Sequence, residues 1–535
     1  MSSQGVPLAH RVTLGTACAV AVLLRLPTFR YPLVSDDEAI YDAMARVVAR
    51  GGTMYADTVD HKPPGLVYTY SAIRWLVERV GGPSSAVMNA VHAAGILFIV
   101  LTCLTLHAIA REMVPPLRAE LAALPPLLYA VTSAASVPPD ALAVNGELLM
   151  NLPTALAVLA ALRATRADVT TLARFGLGVL AGAFVAIAAL YKYQAALAGV
   201  ALVCLLPAGT KNGRGALIPF LVWSATLGIG FALPFATTAL YFADRGALAE
   251  AVRWGLAFNA HYLKEGPDLA LAVSRFSMQL LGVVLPSVLV YGGGAWGTLL
   301  LWRKTDVGSP SKPGVLRGRA FLTVWVVTSL YSVTLGRRFF GHYFLQPELP
   351  LCLLAAGPVL SFADRRPRLT FTLLALPALI FFTIAAVPEV FGKLVYAGDP
   401  DYVTIGHAVN ARTNPTDTLW VWGNVPQIYA TADRTPGVRF TFCNYLTGLS
   451  PGSRSEQDPT YDSRENAVPG AWDMVVHDLD RATPAIIIDT AAGGMKSYGK
   501  YPVASFPVLD AYLRQHYRPD GVIDGAVLYR RKGGV

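Results

Sequence analysis

The chain predicts a polytopic α-helical membrane protein of about eleven transmembrane helices, with surface helices in its first outer loop and a small α/β domain at its C-terminal end. Three observations predict it. Of 535 residues, 54% are hydrophobic and only 15% charged, and the mean hydropathy is +0.45. That is too apolar for a soluble chain of this length, whose several domains would each need a charged surface. Apolar runs of about 20 residues, the length that crosses a hydrocarbon core, recur as far as residue 388. Beyond it, short β-rich runs take over.

The predicted spans, in order, are 11–29, 86–110, 119–137, 146–163, 172–190, 192–209, 216–241, 275–302, 319–336, 343–361 and 369–388. The first begins after Arg11 and resembles a signal sequence, but no small-residue cleavage site ends it, so it predicts an uncleaved helix. Only Tyr191-Lys192-Tyr193-Gln194 separates the fifth from the sixth. With the N-terminus in the cytoplasm, the inner loops carry Arg111 and Arg118; Arg163, Arg166 and Arg174; Lys211 and Arg214; Arg303, Lys304, Lys312, Arg317 and Arg319; and Arg365, Arg366 and Arg368. That is the positive-inside pattern, and an odd number of spans then puts everything after about residue 389 outside. The stretch 308–314 is a flexible inner loop. The expected organisation is a membrane domain over 1–388 and an extracytoplasmic α/β domain over 389–535.

The first outer loop, 30–85, is longer than an ordinary connection, and long ordered loops tend to be functional. Ile40, Met44, Val47 and Val48 give Glu38–Arg50 a helical stripe with a polar opposite face, and Leu66–Val80 repeats it. Both predict helices at the membrane surface with one face toward lipid or the bundle. Ala247–Tyr262 follows the same pattern. In the last domain, Thr418–Trp422, Val438–Phe442, Ala485–Asp489 and Ala526–Tyr529 predict strands.

Composition also excludes. The net charge of +9 sits in short clusters between apolar runs rather than on one basic face, which argues against a nucleic-acid partner. Cys18, Cys103, Cys204 and Cys352 lie in apolar runs and only Cys443 outside them, so no disulfide framework is implied. The chain has no Walker loop, no His-Glu-x-x-His helix and no Gly-x-Ser-x-Gly elbow.

The polar residues concentrate on the outer side. Ser35-Asp36-Asp37-Glu38-Ala39-Ile40-Tyr41 follows the first span, and Asp60-His61-Lys62-Pro63-Pro64-Gly65 follows it in the same loop. Acids at a membrane boundary suggest function, yet Ser-Asp-Asp-Glu also suits a helix N-terminus; one acid can cap while another does chemistry. Lys62, before a stiff Pro-Pro turn, suits a phosphate as a point charge, or snorkels beside a structural corner. Asn145-Gly146-Glu147 opens the fourth span, Lys192 and Gln194 end the fifth, and Arg337-Arg338-Phe339-Phe340-Gly341-His342-Tyr343 precedes the tenth. Two outer arginines break the charge rule, so they meet either an anionic ligand or lipid headgroups. Asn424 and Gln427 follow a strand, where α/β domains place binding residues and also simple turns.

The motifs Asp37-Glu38-x-x-Tyr41, His61-Lys62-Pro63-Pro64, Asn145-Gly146-Glu147, Lys192-x-Gln194, Gly341-His342-Tyr343-Phe344-Leu345-Gln346 with Pro350, and Trp422-Gly423-Asn424-x-Pro426-Gln427 resemble, in this order and topology, the bacterial GT-C membrane glycosyltransferases. The groups most similar are the protein O-mannosyltransferase-like enzymes and the lipid A aminoarabinose transferases. The resemblance spans the whole chain. It implies a multi-pass enzyme of the cell inner (plasma) membrane. Such an enzyme takes a sugar from a polyprenyl (undecaprenyl-type) phosphate donor and places it, with inversion, on a lipid, glycan or protein acceptor on the periplasmic, extracytoplasmic side.

Carried over residue by residue, Asp37 matches the loop aspartate that acts as general base or orients the acceptor, and Glu38 the acid beside it, so both are expected to be catalytic. Lys62 matches the lysine that neutralises the leaving phosphate, with Lys192, Arg337, Arg338 and His342 as further phosphate partners. Tyr41, His61, Asn145, Glu147, Gln194, Tyr343 and Asn424 are the expected substrate contacts. One branch of the family has an acid where this chain has His61. No cofactor is required by the resemblance, though some relatives use a divalent metal near the loop acids, with Asp37 and Glu147 as candidate ligands here. The capping alternative applies better to Ser35 and Asp36 than to Asp37. A secondary transporter or a non-catalytic polysaccharide-export component is the rival reading; the transporter should show helices broken near the midplane and repeat symmetry.

Overall fold

A computed structural model describes residues 13–113, 121–135, 139–206, 217–303, 313–395 and 402–533. Of the predicted features, Arg11, Arg118, Lys211, Arg214, Lys304, Lys312 and most of the 308–314 loop lie outside these. Seven helices among the described residues are long and apolar enough to cross a membrane: Ala86–Met113, Gly146–Ala164, Thr171–Tyr191, Leu217–Asp244, Arg317–Arg337, Gly341–Arg365 and Pro367–Ala386. They coincide with seven of the predicted spans.

The other four differ. The first helix, Leu14–Leu23, gives way to a 3-10 turn over Leu26–Arg30 with Pro27 in its first positions. Described helix covers only Leu121–Thr132 and Tyr193–Val203 in the third and sixth. The eighth, expected over 275–302, is two helices, Leu269–Val284 and Val288–Trp302, meeting at 99°. A π turn over Leu280–Val284 and Pro286, which has no amide hydrogen to donate, together bend it.

Tight packing of the spans depends on small residues. A Cβ at Gly230 would collide with the Val179 carbonyl of the neighbouring helix, and one at Gly297 with the Leu354 carbonyl. One end of the bundle carries Glu112 with Arg163 and Arg166, at 3.5 and 3.7 Å. The opposite end carries the long loop.

Both predicted loop helices form, as Asp36–Ala49 and Gly65–Arg79. Ser35 caps the first, its hydroxyl accepting the Glu38 amide at 3.3 Å. The polar face of this helix is buried as well. Asp42 is buried between Arg46, at 2.8 Å, and Arg74, and Arg46 continues to Asp433 at 2.6 Å. Asp36 meets Lys496 at 3.1 Å and the Gln427 amide. The C-terminal unit therefore covers this helix, and Val59 N–H donates to the Arg439 carbonyl at 2.9 Å to hold the loop after it.

That unit is built on a five-stranded sheet in the order β2-β1-β3-β5-β4. Its strands are β1 (Thr418–Trp422), β2 (Thr435–Pro436), β3 (Ile486–Asp489), β4 (Tyr517–Ile523) and β5 (Ala526–Arg531). β1 runs parallel to β2 and β3, and β5 antiparallel to β3 and β4. Val438–Phe442, expected as a strand, is irregular. The ladder ends once Gly437 N–H has donated to the Leu419 carbonyl at 2.7 Å, and beyond it Phe440, Thr441 and Phe442 are buried in succession instead of alternating as in a strand with one solvated face. The carboxyl ends of the adjacent parallel strands β1 and β3 lead into Gly423-Asn424 and Thr490.

Candidate active site

The Pro63-Pro64 corner positions the site. Neither residue donates a backbone hydrogen bond, so helix begins only at Gly65. The missing side chain there lets the corner rest on the helix Thr171–Tyr191: a Cβ would lie 2.6 Å from the Leu190 carbonyl oxygen. This docking brings Lys62, from the loop, and Lys192, from the helix end, to the walls of the same cavities.

Lys62 Nζ donates to Asp37 Oδ1 at 3.0 Å and to the Tyr41 hydroxyl at 2.6 Å, and lies 4.7 Å from the Tyr41 ring centre. Tyr55 donates to the Lys62 carbonyl at 2.8 Å. Burial works against the Lys62 charge, but Asp37 and Tyr41 outweigh it and hold the ammonium well above its ordinary range. Asp37 responds in the opposite sense. Burial pushes its carboxyl up, and the charges of Lys62, His342 and Lys192 together hold it below the usual carboxylate range.

Asp60 and His61 form a second pair. Asp60 Oδ1 lies 2.9 Å from His61 Nδ1, and accepts the His61 backbone N–H at 2.7 Å and the Tyr445 hydroxyl at 3.3 Å. Burial raises the Asp60 carboxyl, but His61 and Lys62 more than reverse it, to about 2. Burial, with Lys62 and Arg338, keeps the His61 imidazole below its ordinary value despite Asp60. Its ring packs on Tyr262 with centres 4.0 Å apart.

Lys192 Nζ is 2.7 Å from Glu147 Oε1 and 4.5 Å from the Tyr343 ring centre, while His342 Nε2 approaches the same carboxylate oxygen at 3.9 Å. Arg338 is buried without a carboxylate in ion-pair range among the described residues. It donates to the Pro451 carbonyl at 2.8 Å and the Ser450 hydroxyl at 2.7 Å, and its guanidinium sits 3.7 Å from the Tyr262 ring centre. Its Nη1 is buried without a hydrogen-bond partner.

Two cavities meet at this cluster, sharing His61, Lys62, Lys192, Tyr262 and Tyr343 as walls. The larger, about 430 Å³, opens between the loop and the C-terminal unit and adds Asp36, Asp37, Asp60, Glu265 and Glu456. The second, about 410 Å³, faces the bundle; it adds Arg338 and the apolar Leu197, Leu263 and Leu335, and none of its lining residues is an acid.

The predicted residues divide accordingly. Asp37, His61, Lys62, Lys192, His342, Tyr343 and Asn424 line the larger cavity, and Gln194 and Arg338 the second. Tyr41 stands behind Lys62 as its hydrogen-bond acceptor. Glu147 lines neither cavity and reaches them through Lys192.

Three other predicted residues lie away from both cavities. Glu38 is fully buried on another face of its helix, where Oε2 accepts the Val34 amide at 2.7 Å and meets His92 at 3.3 Å, and Oε1 accepts the Val144 amide at 2.8 Å. It is an anchor, not a cavity residue. Asn145 is the N-cap of Gly146–Ala164, its side chain accepting the Leu148 amide at 3.1 Å, and is buried. Arg337 is exposed and lines neither cavity, because its left-handed backbone, φ 54°, turns it away while Arg338 goes inward.

The metal expectation fares differently. Asp37 and Glu147 each face a lysine, and no set of three metal-ligating side chains converges among the described residues. This donor set does not fit a cation. Asp60, which the sequence sets beside His61 without a role of its own, joins the site, as do Tyr262 and Tyr445. Asp60 carried a usable signal, an acid directly before His61; Tyr262 ended a stripe read only as amphipathic, and Tyr445 gave none.

No family model and no curated protein matches the chain. Solved structures do. The Cupriavidus metallidurans ArnT bound to undecaprenyl phosphate is 14% identical, over 96% of this chain and 97% of that one, with a TM-score of 0.57. The same enzyme in the apo state is 12% identical over 92% of each chain, with a TM-score of 0.51. The Archaeoglobus fulgidus oligosaccharyltransferase tethered with an acceptor peptide is 14% identical, over 97% of this chain and 73% of that one, with a TM-score of 0.50. The chain has the fold of these GT-C glycosyltransferases along nearly its whole length.

Proposed function

We propose that this protein is a membrane glycosyltransferase moving a sugar from a polyprenyl (undecaprenyl-type) phosphate donor to an extracytoplasmic acceptor, with inversion. The observation that carries the reading is the division of charge between two cavities with a common cationic wall. The second cavity combines Lys62, Lys192 and Arg338 with Leu197, Leu263 and Leu335, which suits a phosphate joined to a prenyl chain. The larger cavity adds the carboxylates, which suits a sugar and the nucleophile that attacks it. A likeness in fold to an ArnT bound to undecaprenyl phosphate supports the same assignment.

In this reading residues 1–388 form the transferase bundle and residues 389–535 an extracytoplasmic domain that walls the acceptor cavity. The bundle lies in the inner (plasma) membrane, with the site at its outer end. Donor phosphate arriving at Lys62 competes with Asp37 for the ammonium and frees the carboxylate. Asp37, ionised at neutral pH, then takes the proton of the acceptor as its oxygen or nitrogen attacks the anomeric carbon from the side opposite the phosphate. Lys62 meets the charge growing on the departing phosphate. The step draws on no metal, since both candidate carboxylates are matched to lysines.

The first test is binding. Purified protein in nanodiscs should bind undecaprenyl phosphate by calorimetry, and Lys62→Ala should weaken binding by roughly 10- to 100-fold, the value of a charged hydrogen bond. Absence of binding by the unmodified protein would refute the donor assignment. Mass spectrometry of envelope glycans in cells lacking the protein would then identify the sugar.

A further inference from the structure

His61 stands where neither the ion pair nor the apolar walls explain it. It lines both cavities, and one ring nitrogen is committed: Nδ1 lies 2.9 Å from Asp60 Oδ1. Asp60 is itself fixed, because that oxygen also accepts the His61 amide at 2.7 Å and the Tyr445 hydroxyl at 3.3 Å. The backbone is tied too, since Asn259 donates to the His61 carbonyl at 2.8 Å. A carboxylate on Nδ1 sets the tautomer with its proton there, so the Nε2 lone pair is left over. Nε2 makes no hydrogen bond to a described residue. The groups facing the ring are Asp60 and Lys62 on its own loop, Tyr445 from the C-terminal unit, Tyr262 from Phe258–Lys264, and Arg338 from the turn before Gly341.

A neutral imidazole between Lys62 and Arg338 has little reason to accept a proton until an anion enters. A phosphate held by those same cations brings that anion. We propose that His61, oriented by Asp60, takes up a proton when the lipid phosphate binds and delivers it from Nε2 to a phosphate oxygen as the sugar leaves. This rests on the glycosyltransferase reading and extends it.

The step balances. The bond from the anomeric carbon to the phosphate oxygen breaks, with its electron pair going to oxygen. The bond from the acceptor to the anomeric carbon forms. The acceptor's proton passes to the Asp37 carboxylate, and the Nε2 proton passes to the phosphate, so polyprenyl hydrogen phosphate departs and His61 returns to neutral. Asp37 and His61 are then base and acid on the two sides of one displacement, with Lys62 between them. Asp60 is a positioning residue.

Undecaprenyl phosphate binding across pH 5.5–8.5, by calorimetry in buffers of different ionisation enthalpy, reads the proton directly. The lipid phosphate titrates in this range by itself, so the informative quantity is the difference between proteins. The unmodified protein should take up as much as one proton more per lipid than His61→Gln, and its affinity should fall more steeply with rising pH. Asp60→Asn, which keeps the shape, should move that slope to lower pH. Lys62→Ala should weaken binding at every pH while keeping the extra proton. Equal proton uptake by the unmodified protein and His61→Gln would overturn the inference and leave the donor site standing. No binding by the unmodified protein would remove the donor site and the inference together.

Discussion

The two cavities share a wall of two lysines, a histidine and two tyrosines, yet only the one toward the C-terminal unit holds carboxylates. Electrostatics gives the reason for keeping them apart. Two like charges about 4 Å apart at an effective dielectric of about 20 repel by roughly 4 kcal/mol, enough to expel a phosphate from an acid-lined pocket. The same acids are tolerated across the wall because donors match them: the Lys62 ammonium with Asp37 at 3.0 Å, and the His61 ring, through Nδ1, with Asp60 at 2.9 Å. One set of cations can thus serve binding on one side and the tuning of acids on the other. The difference predicts that substitutions on the two sides fail differently.

The largest effect should come from Asp37→Asn. Removing a general base lowers transfer by about 10²- to 10⁴-fold, while undecaprenyl phosphate should bind at least as tightly, because Lys62 loses its competitor. Transfer in membranes and lipid binding, measured on the same preparation, check both halves. A parallel loss of binding would erase the distinction between the cavities. The pH profile follows from the direction in which Asp37 is shifted. A carboxyl held below its usual range stays ionised down through about pH 4, so the acid limb that Asp37 causes should begin below that value.

Arg338→Leu tests the other side. Its guanidinium is the one cation of the second cavity absent from the first. Losing it should weaken undecaprenyl phosphate by about 10-fold and flatten the salt dependence of binding, with transfer at saturating donor nearly intact. Arg337→Leu, next in sequence but exposed, should change neither. If both variants behave alike, the arginines answer to lipid headgroups rather than to a ligand.

Legibility in the sequence followed the range of the forces involved. Apolar length fixes a span locally, so seven helices could be found from composition, whereas the 99° break near Pro286 depends on a π turn that hydropathy averages away. The loop residues Asp37 and Lys62 stood out because a charged cluster beside an apolar run is locally anomalous. Tyr262 and Tyr445 did not, because an aromatic in an amphipathic or β-rich stretch looks like ordinary core until the C-terminal unit folds over the loop. The burial of the polar face of Asp36–Ala49 was not legible for the same reason: the partners of Asp42 and Arg46, Arg74 and Asp433, lie farther along the chain.

Glu38 sharpens the comparison at its smallest scale. Adjacent residues on a helix point about 100° apart, so Asp37 can face the cavity while Glu38 enters the bundle and accepts the Val34 and Val144 amides at 2.7 and 2.8 Å. Glu38→Gln keeps the size and one good acceptor oxygen, but turns an amide NH₂ toward a backbone N–H. The cost should be about 1–3 kcal/mol of stability, read as a lower unfolding temperature, with donor affinity unchanged and transfer by the folded fraction within a few-fold of the unmodified protein. A loss of transfer as deep as that of Asp37→Asn, without loss of stability, would return Glu38 to the chemistry and require the helix to turn when substrates bind.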